Sequence, residues 1–198
     1  MNYSIICGSP RKNSESMKVC KYIEAILTHK RHEVSLIDLS SIDLSQKKHI
    51  EQQLHEQPDV KGISNILKMS TCLVLIFPEY NGMAPTVVKD FLSFSTSGEI
   101  AHKPALLISV SSGLGGCYSL AELRMNSHQN TLICYIPNQL TIRKVGSVLN
   151  DFNEASSKED LETRNKIKSN LVILEEYGKA LATMRESSIN SILLSSIK

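Results

Sequence analysis

The chain has 198 residues, 41% of them hydrophobic and 21% charged, with 22 basic and 20 acidic side chains for a net charge of +2. That is enough chain for one domain with a full core. The near balance of charge gives no basic field for nucleic acid and no acidic face for docking to a basic partner. The longest apolar run, Cys72 to Pro78, is far below the ~20 residues of a membrane span. Met1 to Gly8 has neither the charged start nor the length of a secretory leader.

In chain order, Tyr3–Cys7 reads as a strand buried on both faces, because its apolar residues run without polar alternation. A helix follows over Ser14–Leu27, with Met17, Cys20, Ile23 and Leu27 on one stripe, Ser14 as N-cap and Glu15 in the first turn. Glu33–Leu39 alternates, as an edge or near-edge strand does, and Gln46–Asp59 is a polar excursion. Val60–Ser70 carries Ile63, Ile66, Leu67 and Met69 at helical spacing. Cys72–Phe77 is a second buried strand, Thr86–Phe94 a short apolar helix, and Ala105–Val110 a third buried strand. Cys117–Asn130 predicts a helix. Ile133–Ile142 predicts a strand that Pro137 bends, bulges or confines to an edge. Glu159–Arg185 is the longest helix. Strand and helix alternate throughout, which predicts an α/β fold with a parallel sheet and right-handed crossovers. No repeat or Gly/Pro-rich linker divides the chain. We expect one domain over residues 1–185, with 186–198 as a tail that is disordered or packed on a partner subunit.

The loops after the three buried strands carry the unusual composition. "GSPRKNSES" (8–16) offers the hydroxyls of Ser9, Ser14 and Ser16, the Arg11 guanidinium and the free amides of a helix N-terminus, a set that suits a phosphate. It lacks the Gly-Lys-Thr/Ser ending of a Walker loop and the glycine triplet of a dinucleotide fingerprint. A tyrosine-phosphatase loop would need Arg at position 13, where Asn13 stands. A serine-rich turn with a helix cap is the plainer alternative. "PEYNGMAP" (78–85) holds the tight-turn pair Asn81-Gly82 between two prolines and presents Tyr80 at a strand end. "SSGLGGCYS" (111–119) has three glycines in four positions, which lets backbone approach a ligand closely. Ligands of open parallel sheets collect at this carboxyl edge.

GSPRKNSES, PEYNG-x-x-P-x-x-x-K through Lys89, and SSGLGG-x9-N through Asn126 together resemble the NADPH-dependent FMN reductase family, over roughly residues 1–145. That family includes quinone, chromate and azo-dye reductases. The resemblance implies a flavodoxin-like three-layer sandwich, its five-stranded parallel sheet in the order 2-1-3-4-5. It implies FMN as cofactor and NADPH or NADH as reductant. By position it implies Ser9, Arg11, Ser14 and Ser16 for the FMN phosphate. Pro78, Glu79, Tyr80, Asn81 and Gly82 fall to the isoalloxazine ring, and Ser111, Gly113, Gly115 and Gly116 to a third contact. The chain departs from the family after Lys89, where Asp90-Phe91-Leu92 stands, in having no Trp, and in placing Tyr118 where members carry Arg.

The expected activity is hydride transfer from a reduced nicotinamide through FMN to a small acceptor such as a quinone, an azo compound, free flavin or a metal oxyanion. The flavin carries that chemistry, so no side chain is assigned as acid, base or nucleophile and no metal is expected. The alternatives are a flavodoxin-like electron carrier and a redox sensor using Cys117. The six histidines (29, 32, 49, 55, 102, 128) lie outside the three loops and read as solvated or helix-surface residues. The five cysteines show no CxxC or zinc spacing, which predicts packed, reduced thiols in the cytoplasm. Val87, Val88, Phe91, Leu92 and Phe94 give one short helix more apolar surface than a single face needs. With the resemblance, this predicts a homodimer or homotetramer without nucleic-acid or membrane partners.

Overall fold

The structure is a computed structural model and describes residues 1–42, 58–95, 97–129 and 131–186. Five strands, β1 (Asn2–Cys7), β2 (Glu33–Asp38), β3 (Cys72–Pro78), β4 (Pro104–Val110) and β5 (Cys134–Ile142), form one sheet in the order β2-β1-β3-β4-β5. Every pairing is parallel. Among the described residues, six α-helices lie on its faces: α1 (Glu15–His29), α2 (Pro58–Met69), α3 (Thr86–Phe94), α4 (Ser97–Ile100), α5 (Cys117–Asn126) and α6 (Lys158–Glu186). This is the flavodoxin-like topology that the resemblance implies. Most of the polar excursion (residues 46–57), together with 187–198 of the tail, lies outside the described residues.

The unbroken apolar strands are explained by two cores. Alternate strand residues point to opposite faces. Tyr3, Ile5 and Cys7 of β1 join Val74 and Ile76 of β3 and Leu106 and Ile108 of β4 against α1 and α6. Ile6, Leu73, Leu75, Phe77, Ala105 and Leu107 face the other way, onto α2, α3 and α5. Both strand faces must therefore be apolar, and the period-two signal disappears. β2 is an edge strand, as its sequence predicts.

Pro137 produces the expected irregularity. The β4–β5 register runs Ala105↔Tyr135 and then Leu107↔Gln139, so residues 136–138 bulge from the ladder. The Arg124 guanidinium donates to the Ile136, Pro137 and Asn138 carbonyls at 2.5, 3.4 and 3.3 Å. α5 thereby supplies the hydrogen bonds that the bulge takes from the sheet.

Of the apolar surplus on α3, the Phe94 side chain lies outside the described residues and the rest is absorbed inside the subunit. Val88, Phe91 and Leu92 are buried in the second core, with Val87 packed beside them. The pattern that suggested an interface on this helix is accounted for by sheet on one side and neighbouring segments on the other.

Candidate functional site

Three loops meet at the carboxyl edge; a cation–π contact joins the first to the second, and hydrogen bonds join the second to the third. The first leaves β1 at Gly8, whose amide donates to the Ile76 carbonyl of β3 at 2.7 Å. A Cβ there would lie 2.3 Å from Val88 Cγ2 and 3.0 Å from Phe77 Cβ, so the position admits only glycine. Ser9 is fully buried, and its Oγ accepts the Arg11 amide at 3.2 Å. Asn13 takes a left-handed φ of 52° and turns the chain into α1.

Ser14 caps α1 as expected, its Oγ accepting the Met17 amide at 3.2 Å. The Glu15 and Ser16 amides remain first-turn donors without an intrahelical partner. The Ser16 hydroxyl is buried and has no hydrogen-bond partner. A buried hydroxyl without a partner costs free energy. Its place in the first turn of a helix, beneath a loop bearing Arg11, fits a phosphate monoester that would satisfy it.

The second loop turns on Asn81 (φ 51°) and Gly82 (φ 80°). Tyr80 and Met83 exchange amide-to-carbonyl bonds of 3.0 and 2.9 Å around the pair, the closure of a type I′ turn. The Arg11 guanidinium lies over the Tyr80 ring, 5.3 Å from its centroid. This contact joins the phosphate-type loop to the ring-type loop.

The third loop, residues 111–116, is held by its neighbours. The Ser111 amide donates to Ile142 O at 2.8 Å, and the Val145 and Lys144 amides donate back to Ser111 O and Gly113 O at 3.1 Å each. Gly116 has φ 110°, and a Cβ on it would stand 2.4 Å from Thr141 Cγ2. Its glycine is thus required by β5 packing, where the sequence suggested only room for a ligand.

Glu79 ties the second loop to the third. Its Oε1 accepts the Gly116 amide at 2.7 Å and its Oε2 the Ser119 amide at 3.0 Å, which places a carboxylate on the N-terminus of α5. Burial alone would raise the Glu79 pKa, but the Ser119 and Gly116 amides outweigh it and the pKa is lowered. Its own amide donates to Val110 O at 3.1 Å. Glu79 therefore ties the second loop to the start of α5.

Two residues escaped the sequence reading. Glu122 accepts the Ala84 amide at 2.7 Å and Lys89 Nζ at 3.0 Å, fastening the end of the second loop to α5. Its partners lie more than thirty residues away in sequence, so no local pattern marks it. Arg143, an exposed residue beyond β5, donates to Gly115 O at 3.3 Å and contacts Cys117 Sγ at 3.4 Å. Cys117 is exposed, whereas Cys7, Cys20 and Cys72 are buried, and all five thiols are free.

Two histidines differ from their expected solvated state. His32 is half-buried against Tyr3, with 5.0 Å between ring centroids. His102 is buried, its Nε2 unpartnered, and burial lowers its pKa. Both sit at the opposite edge of the sheet, because each lies next to the start of a strand (β2 and β4). His49 and His55 lie outside the described residues. No group of three or more potential metal ligands occurs among the described residues.

The sequence model of the family described as NADPH-dependent FMN reductase matches residues 1–146, a span that contains all three loops. The chain is 31% identical over 124 residues to an NADPH azoreductase from Bacillus sp. (strain OY1-2), a match covering 62% of this chain and 66% of that one, just under two thirds of its length. Among solved structures it resembles the flavoenzyme NAD(P)H:(acceptor) oxidoreductase from Paracoccus denitrificans, at a TM-score of 0.62 and 19% identity over 92% of this chain and 97% of that chain. It also resembles a flavodoxin from the domain Archaea, at a TM-score of 0.57 and 11% identity over 89% and 99% of the two chains.

Proposed function

The chain belongs to the NADPH-dependent FMN reductase family, and from that membership we propose that it is an FMN-dependent NAD(P)H oxidoreductase acting on a small acceptor. The observation that carries the reading is the buried, unpartnered Ser16 hydroxyl at the start of α1, set in a loop that Arg11 joins to Tyr80. The chemistry supplied by bound FMN is two-electron transfer from a reduced nicotinamide to the acceptor. Ser9, Arg11, Ser14 and Ser16 hold its phosphate. Pro78, Tyr80, Asn81 and Gly82 border its ring, with Ser111, Gly113, Gly115 and Gly116 on the remaining side. Glu79 keeps these two loops at a fixed separation through the Gly116 and Ser119 amides. The similar azoreductase favours an azo compound as acceptor, with quinones as the neighbouring chemical class.

Electron carriers of this fold dock through an acidic face, and the balance of 22 basic to 20 acidic residues favours an enzyme with its own small substrate. The five free thiols favour a cytoplasmic setting. We also read the protein as a homodimer or homotetramer. The support is now α5 and its approach: Met83, Leu114, Tyr118 and Met125 are all more than half exposed, and Tyr118 and Met125 are seven residues apart on one helix face. Light scattering showing only a 22.0 kDa species at micromolar concentration overturns the oligomer.

The activity is tested on purified protein. A yellow protein that NADPH bleaches anaerobically within seconds meets the proposal. A colourless protein that takes up no FMN, or a yellow one that reduced nicotinamide leaves oxidised, defeats it. Arg11→Ala should weaken FMN binding about 10- to 150-fold, the range for a charge-assisted hydrogen bond to phosphate. Riboflavin, which lacks the phosphate, should bind wild type and variant alike in paired fluorescence titrations.

A further inference from the structure

The Gly115–Gly116 peptide of the third loop is held at its two ends by opposite charges. Its carbonyl oxygen accepts Arg143 Nε at 3.3 Å, and its amide donates to Glu79 Oε1 at 2.7 Å. The two side chains come from different strand ends: Glu79 follows β3 and Arg143 follows β5. The chain after Arg143 lies along the loop, because the Lys144 and Val145 amides donate to Gly113 O and Ser111 O. That contact brings the guanidinium to Gly115. On the other side, a Cβ on Gly115 would stand 2.7 Å from Glu79 Oε1. The carboxylate reaches the peptide so closely because residue 115 has no side chain.

Turning this peptide over would break two charge-assisted hydrogen bonds, each roughly twice as strong as a neutral one. The loop therefore presents one fixed edge. The two charges are not equally spent. Glu79 is half-buried, and its oxygens are taken by the Gly116 and Ser119 amides. Arg143 is exposed, and no carboxylate of the described residues pairs with it. Its other contact is Cys117 Sγ at 3.4 Å.

We propose that Arg143 is a positioning residue for the flavin, which fixes the Gly115–Gly116 peptide against Glu79 and whose charge favours the reduced ring over the oxidised one. The proposal rests on the oxidoreductase reading, in which the third loop borders the ring. Reduction brings two electrons and one proton from the reduced nicotinamide, which leaves as its oxidised cation, and adds one negative charge to the ring. A cation beside the loop lowers the energy of that added charge, and a carboxylate raises it. Arg143 and Glu79 thus act together on the peptide and against each other on the ring. That opposition separates a role toward the flavin from a role in the fold alone.

The test is the reduction potential of the FMN-loaded protein, measured anaerobically against a reference dye at mildly alkaline pH, where the reduced ring is an anion. Titrations with oxidised FMN run alongside. Arg143→Gln should shift the preference toward the oxidised state about fivefold, the scale of one charge at close range in water. That lowers the potential by about 20 mV, at about 30 mV per tenfold for two electrons. Glu79→Gln should shift it about tenfold the other way and raise the potential by about 30 mV. The carboxylate gives the larger shift because it is less exposed and less screened. Both variants should weaken oxidised FMN, since each releases one end of the peptide. Arg143→Lys keeps the charge and loses the fork, and should hold the redox preference within about twofold of wild type. Shifts of the same sign from Arg143→Gln and Glu79→Gln, no shift from Arg143→Gln, or equal shifts from Arg143→Lys and Arg143→Gln overturn the proposal. Failure of the unsubstituted protein to hold FMN overturns the functional reading beneath it, and the flavin absorbance before reduction tells the two failures apart.

Discussion

Asp160 and Glu79 each clamp a loop, and their surroundings differ. Asp160 is fully buried. It pairs with Arg164 at 3.1 Å and accepts the Leu149 and Ser156 amides at 2.9 Å each. Glu79 is only half-buried and its bonds run to two backbone amides at a helix start, with no cation among its partners. Both fasten a strand-end loop to a helix. The first clamp surrounds an ion pair with satisfied groups and holds the segment after β5 against α6. The second leaves the loops beside it open, with Tyr118 and Leu114 exposed. The Asp160 network satisfies its buried polar groups, whereas the buried Ser16 hydroxyl has no partner.

The widest gap between the clamps should come from Asp160→Asn. It strands a buried guanidinium, and breaking such a pair from one side costs about 3–5 kcal/mol. Chemical denaturation should show that loss, and Arg164→Met added to it should restore part of the stability. Recovery in the double variant would identify the isolated charge as the cause.

Acid should expose the same clamp. Burial alone would raise the Asp160 pKa, but Arg164 and the Leu149 and Ser156 amides bring it down to about 2, from an ordinary 3.8. A carboxylate depressed on folding contributes stability that is full above its ordinary pKa and is lost as pH falls through the folded value. The contribution is about 2 kcal/mol, at about 1.4 kcal/mol per pH unit. The stability gap between wild type and Asp160→Asn should therefore shrink as pH falls from 5 toward 2. A gap constant with pH would remove the ion pair from the account.

Glu79→Gln should act more gently on stability, by about 1–2 kcal/mol for weakened bonds to a charged acceptor. Its larger readout is the ligand. With the two loops less firmly joined, FMN and riboflavin should both bind several-fold more weakly, unlike the phosphate-selective effect of Arg11→Ala. The smallest effect belongs to Cys117→Ser. The thiol lies beside the Glu79 clamp without joining it, and NADPH oxidation should stay within about threefold of wild type. A hundredfold loss would give the thiol a chemical role.

The sheet was legible because both of its faces are buried, which writes each central strand as an uninterrupted apolar run. Ser14 was legible as a cap because the cap, its helix and its target amide lie within four residues. Glu122 and Arg124 were not legible, since each earns its role from partners a dozen to nearly forty residues distant, and the Asp160–Arg164 pair, though four residues apart, gave no sign of the Leu149 amide it holds. Gly116 shows a further limit: its composition signal was real, but Thr141, a residue of another strand, supplies the reason. The apolar excess on α3 has a like origin: Val88, Phe91 and Leu92 are buried in the second core, and how much surface a helix must cover depends on neighbours that one helix's sequence does not contain.

The Pro137 bulge has a consequence for the protein at high concentration. A sheet border with a straight row of free carbonyls and amides is a template for a strand from another molecule, the first step of intermolecular aggregation. β5 forms one border of this sheet. Its ladder is interrupted there by an imino acid that cannot donate, and the carbonyls displaced by the interruption are occupied by Arg124. An incoming strand would meet a kinked rail with its middle rungs already taken.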